Sequence, residues 1–273
     1  MNSKENYKRP NRKRDVPLVK YLETTALFTV EELKDLYAKH SSARTILNVL
    51  HRLKQQGRVR AVARGIYTGV SSSLPVNRYA VPGRLRRDAA LAFHSALEFH
   101  GVANQVFQTV YYLSSRPRRD VTYEGVVYHR VAHPRALQRS GKLDFQMEQA
   151  PDQVRVTGRE RSFVDCLLFP DYSGGAEELD RCLVLFPSFD FATALDYLKL
   201  LRRPWLYARV GYLLDRHADK LFFSGKWRDA FLTRRPRGVA YLERKRRGLR
   251  WVETWSLMVP DNLAPSTSEG VRS

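Results

Sequence analysis

Apolar residues recur along this chain with two different periods, in a definite order. Leu33, Leu36 and Tyr37 fall at i, i+3 and i+4, the stripe of a short helix. Thr29 and Glu32 have the spacing of a capping box, which starts that helix at Val30. After Lys39-His40-Ser41-Ser42, where Ser41 or Ser42 can cap, Ile46, Leu50 and Leu53 share one face of a second helix with Val49 beside them. Gly57 stands where a left-handed residue stops that helix. Residues 58–62 and 66–68 then read as two strands of a hairpin joined through Ala63-Arg64-Gly65. With residues 17–23 as a leading helix that brings in Leu18 and Leu22, the order predicts a winged helix-turn-helix over residues 16–70, its wing tipped by Arg64.

Residues 71–75, Ser-Ser-Ser-Leu-Pro, read as a linker. Beyond it, Asp88 is placed to cap a helix with Leu91, Ala92, Ser95, Ala96 and Phe99 on one face, ended by Gly101. Phe107, Thr109, Tyr111 and Leu113 alternate as in a strand, and residues 118–131 suggest a hairpin turning at Glu124-Gly125. A short strand over 153–156 leads to Thr157 and Glu160, a second capping-box spacing, and a helix through Phe163, Val164, Leu167 and Leu168. Gly174-Gly175 opens a helix carrying Leu179, Cys182, Leu183 and Phe186, which Pro187 breaks; Asp190 begins the next, and Pro204 fits the first turn of another. Residues 239–242 and 249–257 read as strands around a basic turn at 244–248. The fold class is α+β: a winged helix-turn-helix followed by a mixed α+β, largely helical carboxy-terminal region. The expected divisions are a flexible basic arm (1–15), the winged domain (16–70), an α+β middle domain (76–150), a mostly helical domain ending in a basic hairpin (151–260) and a disordered Ser/Pro/Gly tail (261–273).

Composition narrows the partners. Hydrophobic content of 43% and aromatic content of 11% in 273 residues belong to a folded protein with a sizeable core. Lys and Arg number 47 against 28 Asp and Glu, a net +19, which favours a polyanion such as nucleic acid. In the arm, Lys4, Lys8, Arg9, Arg12, Lys13 and Arg14 face only Glu5 and Asp15, which suits either an arm laid along DNA or a solubilising tail. Cys166 and Cys182 are the only cysteines and lack zinc-site spacing. No apolar run approaches a membrane span and the start of the chain has no signal-peptide core, so a cytoplasmic protein without membrane partners is expected.

In a winged helix-turn-helix the second helix enters the major groove. Arg44, Thr45 and Asn48 are then the base-reading candidates, because Arg pairs doubly with guanine and Asn with adenine. Ser41, Ser42, Arg52, Arg60 and Arg64 are candidates for the phosphate backbone or a groove. Residues 234–250 hold eight Arg or Lys against Glu243 alone, and Arg244, Lys245, Arg246, Arg247 and Arg250 make a possible second patch for nucleic acid or a partner, with Trp227, Trp251 and Trp255 available for stacking. His94, Glu98 and His100 lack the H-E-x-x-H spacing of a metal helix, which favours structural hydrogen bonds. Asp165 and Asp171, with Glu177 and Glu178 nearby, suit salt bridges or caps better than paired catalytic carboxylates, since Arg159 and Arg161 are close. Gly174-Gly175 is followed by no Gly-Lys-Ser/Thr and is not a phosphate loop. The reading therefore contains no catalytic residue, no metal and no cofactor.

The stretch AFHSALEFHG (92–101) resembles the AbiEi family of antitoxins and transcriptional regulators. Residues 156–167 (VTGRERSFVDCL), residues 170–179 (PDYSGGAEEL) and the RGIY of the wing, Arg64 to Tyr67, fit the same resemblance, which spans most of the chain up to the end of the helix begun by Pro204. The resemblance implies the antitoxin of a type IV toxin–antitoxin pair active in phage defence. Such a protein represses its own operon by binding double-stranded promoter repeats through the winged domain. It counteracts a nucleotidyltransferase-like toxin without forming a stable complex. Two other readings of the residues remain. One is a nuclease-like enzyme targeted by the winged domain, although Pro151-Asp152 and Pro170-Asp171 lack the spaced acidic and lysine partners. The other is an RNA-binding interaction protein that uses the basic carboxy-terminal hairpin.

Overall fold

The computed structural model describes residues 17–244 and 247–265. The basic arm, Lys245, Arg246 and the tail from 266 lie outside them. The described residues form two compact units: those up to Arg87 with Val121–Val126, and Asp88–Asp120 with those from Val127 onward.

In the first unit α1 (Leu18–Thr24) is followed by β1 (Phe28–Thr29), α2 (Val30–Tyr37), α3 (Ala43–Gln55), β2 (Val59–Ala63) and β3 (Ile66–Gly69). The capping box at α2 is formed: Thr29 Oγ1 accepts the Glu32 N–H at 3.0 Å, and Glu32 accepts the Thr29 N–H at 2.7 Å. Ser42 caps α3. At its other end Gly57 has φ +71, and the Gly57 and Arg58 N–H groups close on the Lys54 and Leu53 carbonyls, a Schellman ending that a side chain at Gly57 would strain. β3 lies between β1 and β2, with Phe28 opposite Tyr67 and Ala61 opposite Tyr67 on its other side. Leu22, Phe28, Leu33, Ile46, Leu50, Leu53 and Val59 fill the core beneath, each large side chain contributing about 1.5–3 kcal/mol by leaving water. Gly69 admits α1 to contact, since a Cβ there would run into the Glu23 carbonyl. A short helix α4 (Val81–Leu85) follows.

The second unit starts differently from the pattern-based expectation. Asp88 does not cap a helix. Its carboxylate takes the Ser114 hydroxyl at 2.8 Å and the Ser115 N–H at 2.7 Å, residues 90–91 form a strand, β4 (Ala90–Leu91), and the helix, α5 (Phe93–Phe99), begins later. The strand expected from 106 is β5 (Thr109–Leu113), leaving Phe107 free to stack on His94 at 3.8 Å. The turn Glu124-Gly125 joins β6 (Val121–Tyr123), which belongs to the first unit, to β7 (Val126–Val131). Next come α6 (Arg135–Ser140), β8 (Met147–Gln149), β9 (Arg155–Thr157) and α7 (Arg159–Leu168). Strands run in the order β7-β5-β4-β9-β8. The second capping box is absent. Thr157 spends its hydroxyl on Ser162 (2.7 Å) and the Leu91 carbonyl (3.3 Å), while Glu160 accepts the Asp190 N–H at 3.2 Å.

Helices α8 (Ala176–Leu185), α9 (Phe191–Leu201), α10 (Pro204–Arg216), α11 (Ala218–Leu221) and α12 (Gly225–Leu232) pack with α5 and α7 into one core running from Ala92 to Leu263. The division expected near residue 150 is therefore not a domain boundary: β4 pairs with β9 across it, and Leu97 and Leu198 lie in the same core. The expected basic hairpin is also absent. β10 (Ala240–Tyr241) and β11 (Leu249–Val252) flank β12 (Leu257–Pro260) in the order β10-β12-β11, β10 parallel and β11 antiparallel to it. Packed chain extends past the expected start of the tail, because Asp261–Leu263 forms a 3-10 turn with Leu263 buried under the Tyr212 and Arg216 side chains. The architecture is mixed α+β. No helix among the described residues is long and apolar enough to cross a membrane.

Candidate nucleic-acid interface

α3 is divided sharply by its burial. Ile46, Leu50 and Leu53 face the core; Arg44, Thr45, Asn48, His51 and Arg52 are exposed. Arg44, Asn48 and Arg52 are spaced at i, i+4 and i+8, so they form one line along the solvent face. At its start Ser42 Oγ accepts the Thr45 N–H, and the Ser41 N–H is bonded to the Tyr37 carbonyl at 2.9 Å. The first amides of a helix have no intrahelical acceptor, and the positive end of the helix dipole lies at this end of α3. Arg60 on β2 and Arg64 in the β2–β3 turn are exposed as well.

Charge in this unit is arranged so that these cations stay open. Glu23 holds Arg58, Glu31 holds Arg87 at 2.8 Å, and Glu32 closes the α2 cap and pairs with Arg84 at 3.2 Å. Among the described residues no ion pair engages Arg44, Arg52, Arg60 or Arg64. The structure thus brings the sequence-predicted candidates of α3 to one exposed helix face and leaves Arg60 and Arg64 exposed on the hairpin.

The second patch is broken up. Arg244 is held by Asp171 at 2.9 Å and Arg250 by Asp261 at 3.1 Å, leaving Arg247 exposed. Lys245 and Arg246 lie outside the described residues. Of the tryptophans proposed for stacking, Trp255 is core and donates to Asp215 at 3.0 Å, Trp227 packs on Phe191, and Trp251 is exposed on β11. Sequence reasoning passed over Trp205 and Arg209, four residues apart on α10, which line a cleft beside β10. The signal available was an arginine set among the apolar positions of that helix.

Two polar clusters invite a catalytic or metal reading. His94 is fully buried and bonded on both ring nitrogens, to Glu98 at 2.9 Å and Glu178 at 3.0 Å. Its contacting atoms with Glu178 and Cys182 lie within 4.8 Å of one another, a possible ligand set. However, Glu178 Oε1 also accepts the Asn104 and Gln105 N–H groups and the Cys182 thiol, and Oε2 takes Asn104 Nδ2, so its lone pairs are spent. Burial opposes the Glu178 charge, but these donors outweigh it and lower its pKa. Burial pushes the Cys182 thiol up to about 12, so it stands as a thiol donating to Glu178. Asp165 sits in a comparable environment. It is fully buried between Arg161 (3.4 Å) and the Tyr197 hydroxyl (2.5 Å), and burial raises its pKa.

No protein-family model and no curated protein matches the chain. A solved structure, the RV2827C protein from Mycobacterium tuberculosis, is similar in fold. The TM-score is 0.58 at 18% identity, over 90% of this chain and 88% of that one. At that identity the likeness concerns the fold alone.

Proposed function

We propose that the protein is a sequence-specific DNA-binding repressor, with residues 18–69 acting as a winged helix-turn-helix. In this reading α3 is the recognition helix and the β2–β3 hairpin is the wing. The observation that carries it is the exposed line Arg44, Asn48 and Arg52 on α3: among the described residues neither arginine has an acidic partner, whereas Arg58, Arg84 and Arg87 of the same unit are held by Glu23, Glu32 and Glu31. Arg44 and Asn48 read base edges in the major groove; Ser42, the α3 amides, Arg52, Arg60 and Arg64 hold phosphates or the adjacent groove. The resemblance to AbiEi proteins supports a further step: autoregulation as the antitoxin of a type IV system, opposed to a nucleotidyltransferase-like toxin without a stable complex.

The test is binding to DNA from upstream of the protein's own gene across a salt series, with unrelated DNA as competitor. A footprint on repeated half-sites that survives competitor supports the repressor. Equal binding to competitor, collapsing with salt, assigns the affinity to charge alone and removes the reading. Co-expression with the neighbouring gene, scored by growth, tests the antitoxin role separately.

A further inference from the structure

The second unit holds a cleft of about 470 Å³ between α10 and the segment entering β10, lined by Trp205, Arg209, Pro236, Val239, Glu243 and Arg244. Arg209 is the informative member. Its Nε donates to the Tyr241 carbonyl at 2.6 Å and its Nη1 to the Leu167 carbonyl at 2.8 Å, while the guanidinium lies over the Trp205 ring at 4.4 Å. Among the described residues no carboxylate pairs with it, and its Nη2 has no hydrogen-bond partner. Burial and the Arg244 charge pull its pKa down to about 10, against the opposing charge of Glu243. The acids at this end of the cleft already have partners of their own. Glu243 accepts the Ala176 N–H at the start of α8 at 2.6 Å, and Asp171 holds Arg244.

We propose that this cleft binds a nucleotide, with its base against Trp205 and Val239 and its phosphate at the free edge of Arg209. One face of the Trp205 indole carries the Arg209 guanidinium, so a base stacks on the ring's other face, and a guanidinium anchored through two of its nitrogens presents the remaining donors to a phosphate in fixed geometry. A cavity of this size suits a ligand of nucleotide dimensions. The site involves no residue of α3, so it stands independently of DNA binding. A free nucleotide and the end of an RNA strand carry the same chemistry.

The full chain is titrated, by calorimetry and by tryptophan fluorescence, with ATP, GTP, CTP and UTP singly, with a short single-stranded RNA, and with pyrophosphate. Saturable binding is expected, weakened about tenfold or more by Trp205→Ala. Val239 is 60% exposed, so Val239→Asp adds a charge at the cleft without disturbing the core and gives the same loss even where Trp205→Ala fails to fold. Binding of free nucleotides names that pool as the source; binding of RNA alone names a strand end. The proposal is overturned by absence of saturable binding to every nucleotide probe, by pyrophosphate binding as tightly as the nucleotides, or by Val239→Asp binding unchanged.

Discussion

Ser42 Oγ accepts the Thr45 backbone N–H at 3.1 Å and lies 2.9 Å from the Thr45 hydroxyl, so these two side chains lock the first turn of α3 together. Thr45 is thereby drawn into the cap, and base reading in the proposed complex falls chiefly on Arg44 and Asn48. Ser42→Ala is expected to lower stability by ~1 kcal/mol in urea unfolding. Ser42→Asp keeps the cap and the stability but sets a carboxylate where phosphate is proposed to sit. It should cost DNA affinity. Unchanged affinity in Ser42→Asp would show that the start of α3 does not meet the DNA backbone.

Arg44 and Arg64 are both exposed cations, yet they are expected to fail differently. Arg44→Ala should cost ~1–3 kcal/mol on the operator and relax one base position. Arg64→Ala should weaken operator and unrelated DNA alike and reduce the salt slope by about one. A binding series on operator variants at several salt concentrations separates them. Equal, sequence-independent loss in Arg44→Ala would make it a phosphate contact.

The difference between what the sequence revealed and what it concealed follows from how local each interaction is. α2 and α3 were legible because Thr29, Glu32, Ser42 and Gly57 act on amides within a few residues. Asp88 and Thr157 carry the same chemical signature, but their oxygens are taken by partners that folding brings from elsewhere, Ser114 and Ser115 in one case and the Leu91 carbonyl in the other. The carboxy-terminal strands misled for a related reason. Nothing near Ala240 announces that its partner is Leu257 rather than the strand immediately after the basic turn. Trp205 and Arg209 become a candidate site only when Val239 and Glu243 close the cleft around them.

His133 gives the fold a pH dependence of definite sign. It is buried, and burial together with the Arg161 charge lowers its pKa from 6.5 to about 4. The native state keeps the ring neutral, whereas the unfolded chain protonates it below 6.5. Its contribution is therefore fully present above pH 6.5 and is lost as pH falls towards 4, by up to ~3 kcal/mol. Asp180, held down to about 2 by His217 and Arg216 against the effect of burial, loses its contribution only below about pH 4, so the two windows are distinct. Urea unfolding between about pH 7.5 and about pH 4.5 should show a slope that His133→Leu flattens. An identical slope in the variant would assign the dependence to other groups.

Asp165 offers a test that separates a structural ion pair from the nuclease-like alternative. Arg161 and Asp165 are both fully buried, Arg161 also donates to the Leu143 and Phe145 carbonyls, and the Tyr197 hydroxyl completes the carboxylate. Removing only the negative partner leaves a buried guanidinium uncompensated. Asp165→Asn is thus expected to cost ~3–5 kcal/mol, while the apolar pair Arg161→Met with Asp165→Leu should recover much of that loss, since neither charge then needs to be buried. A catalytic carboxylate behaves in the opposite way: its amide variant stays stable and loses only metal-dependent cleavage of DNA. Unfolding free energies of the single and double variants, measured beside a cleavage assay, distinguish the two. Full stability in Asp165→Asn with loss of cleavage would return Asp165 to the active-site reading; a large destabilisation recovered in the apolar pair fixes it as part of the core.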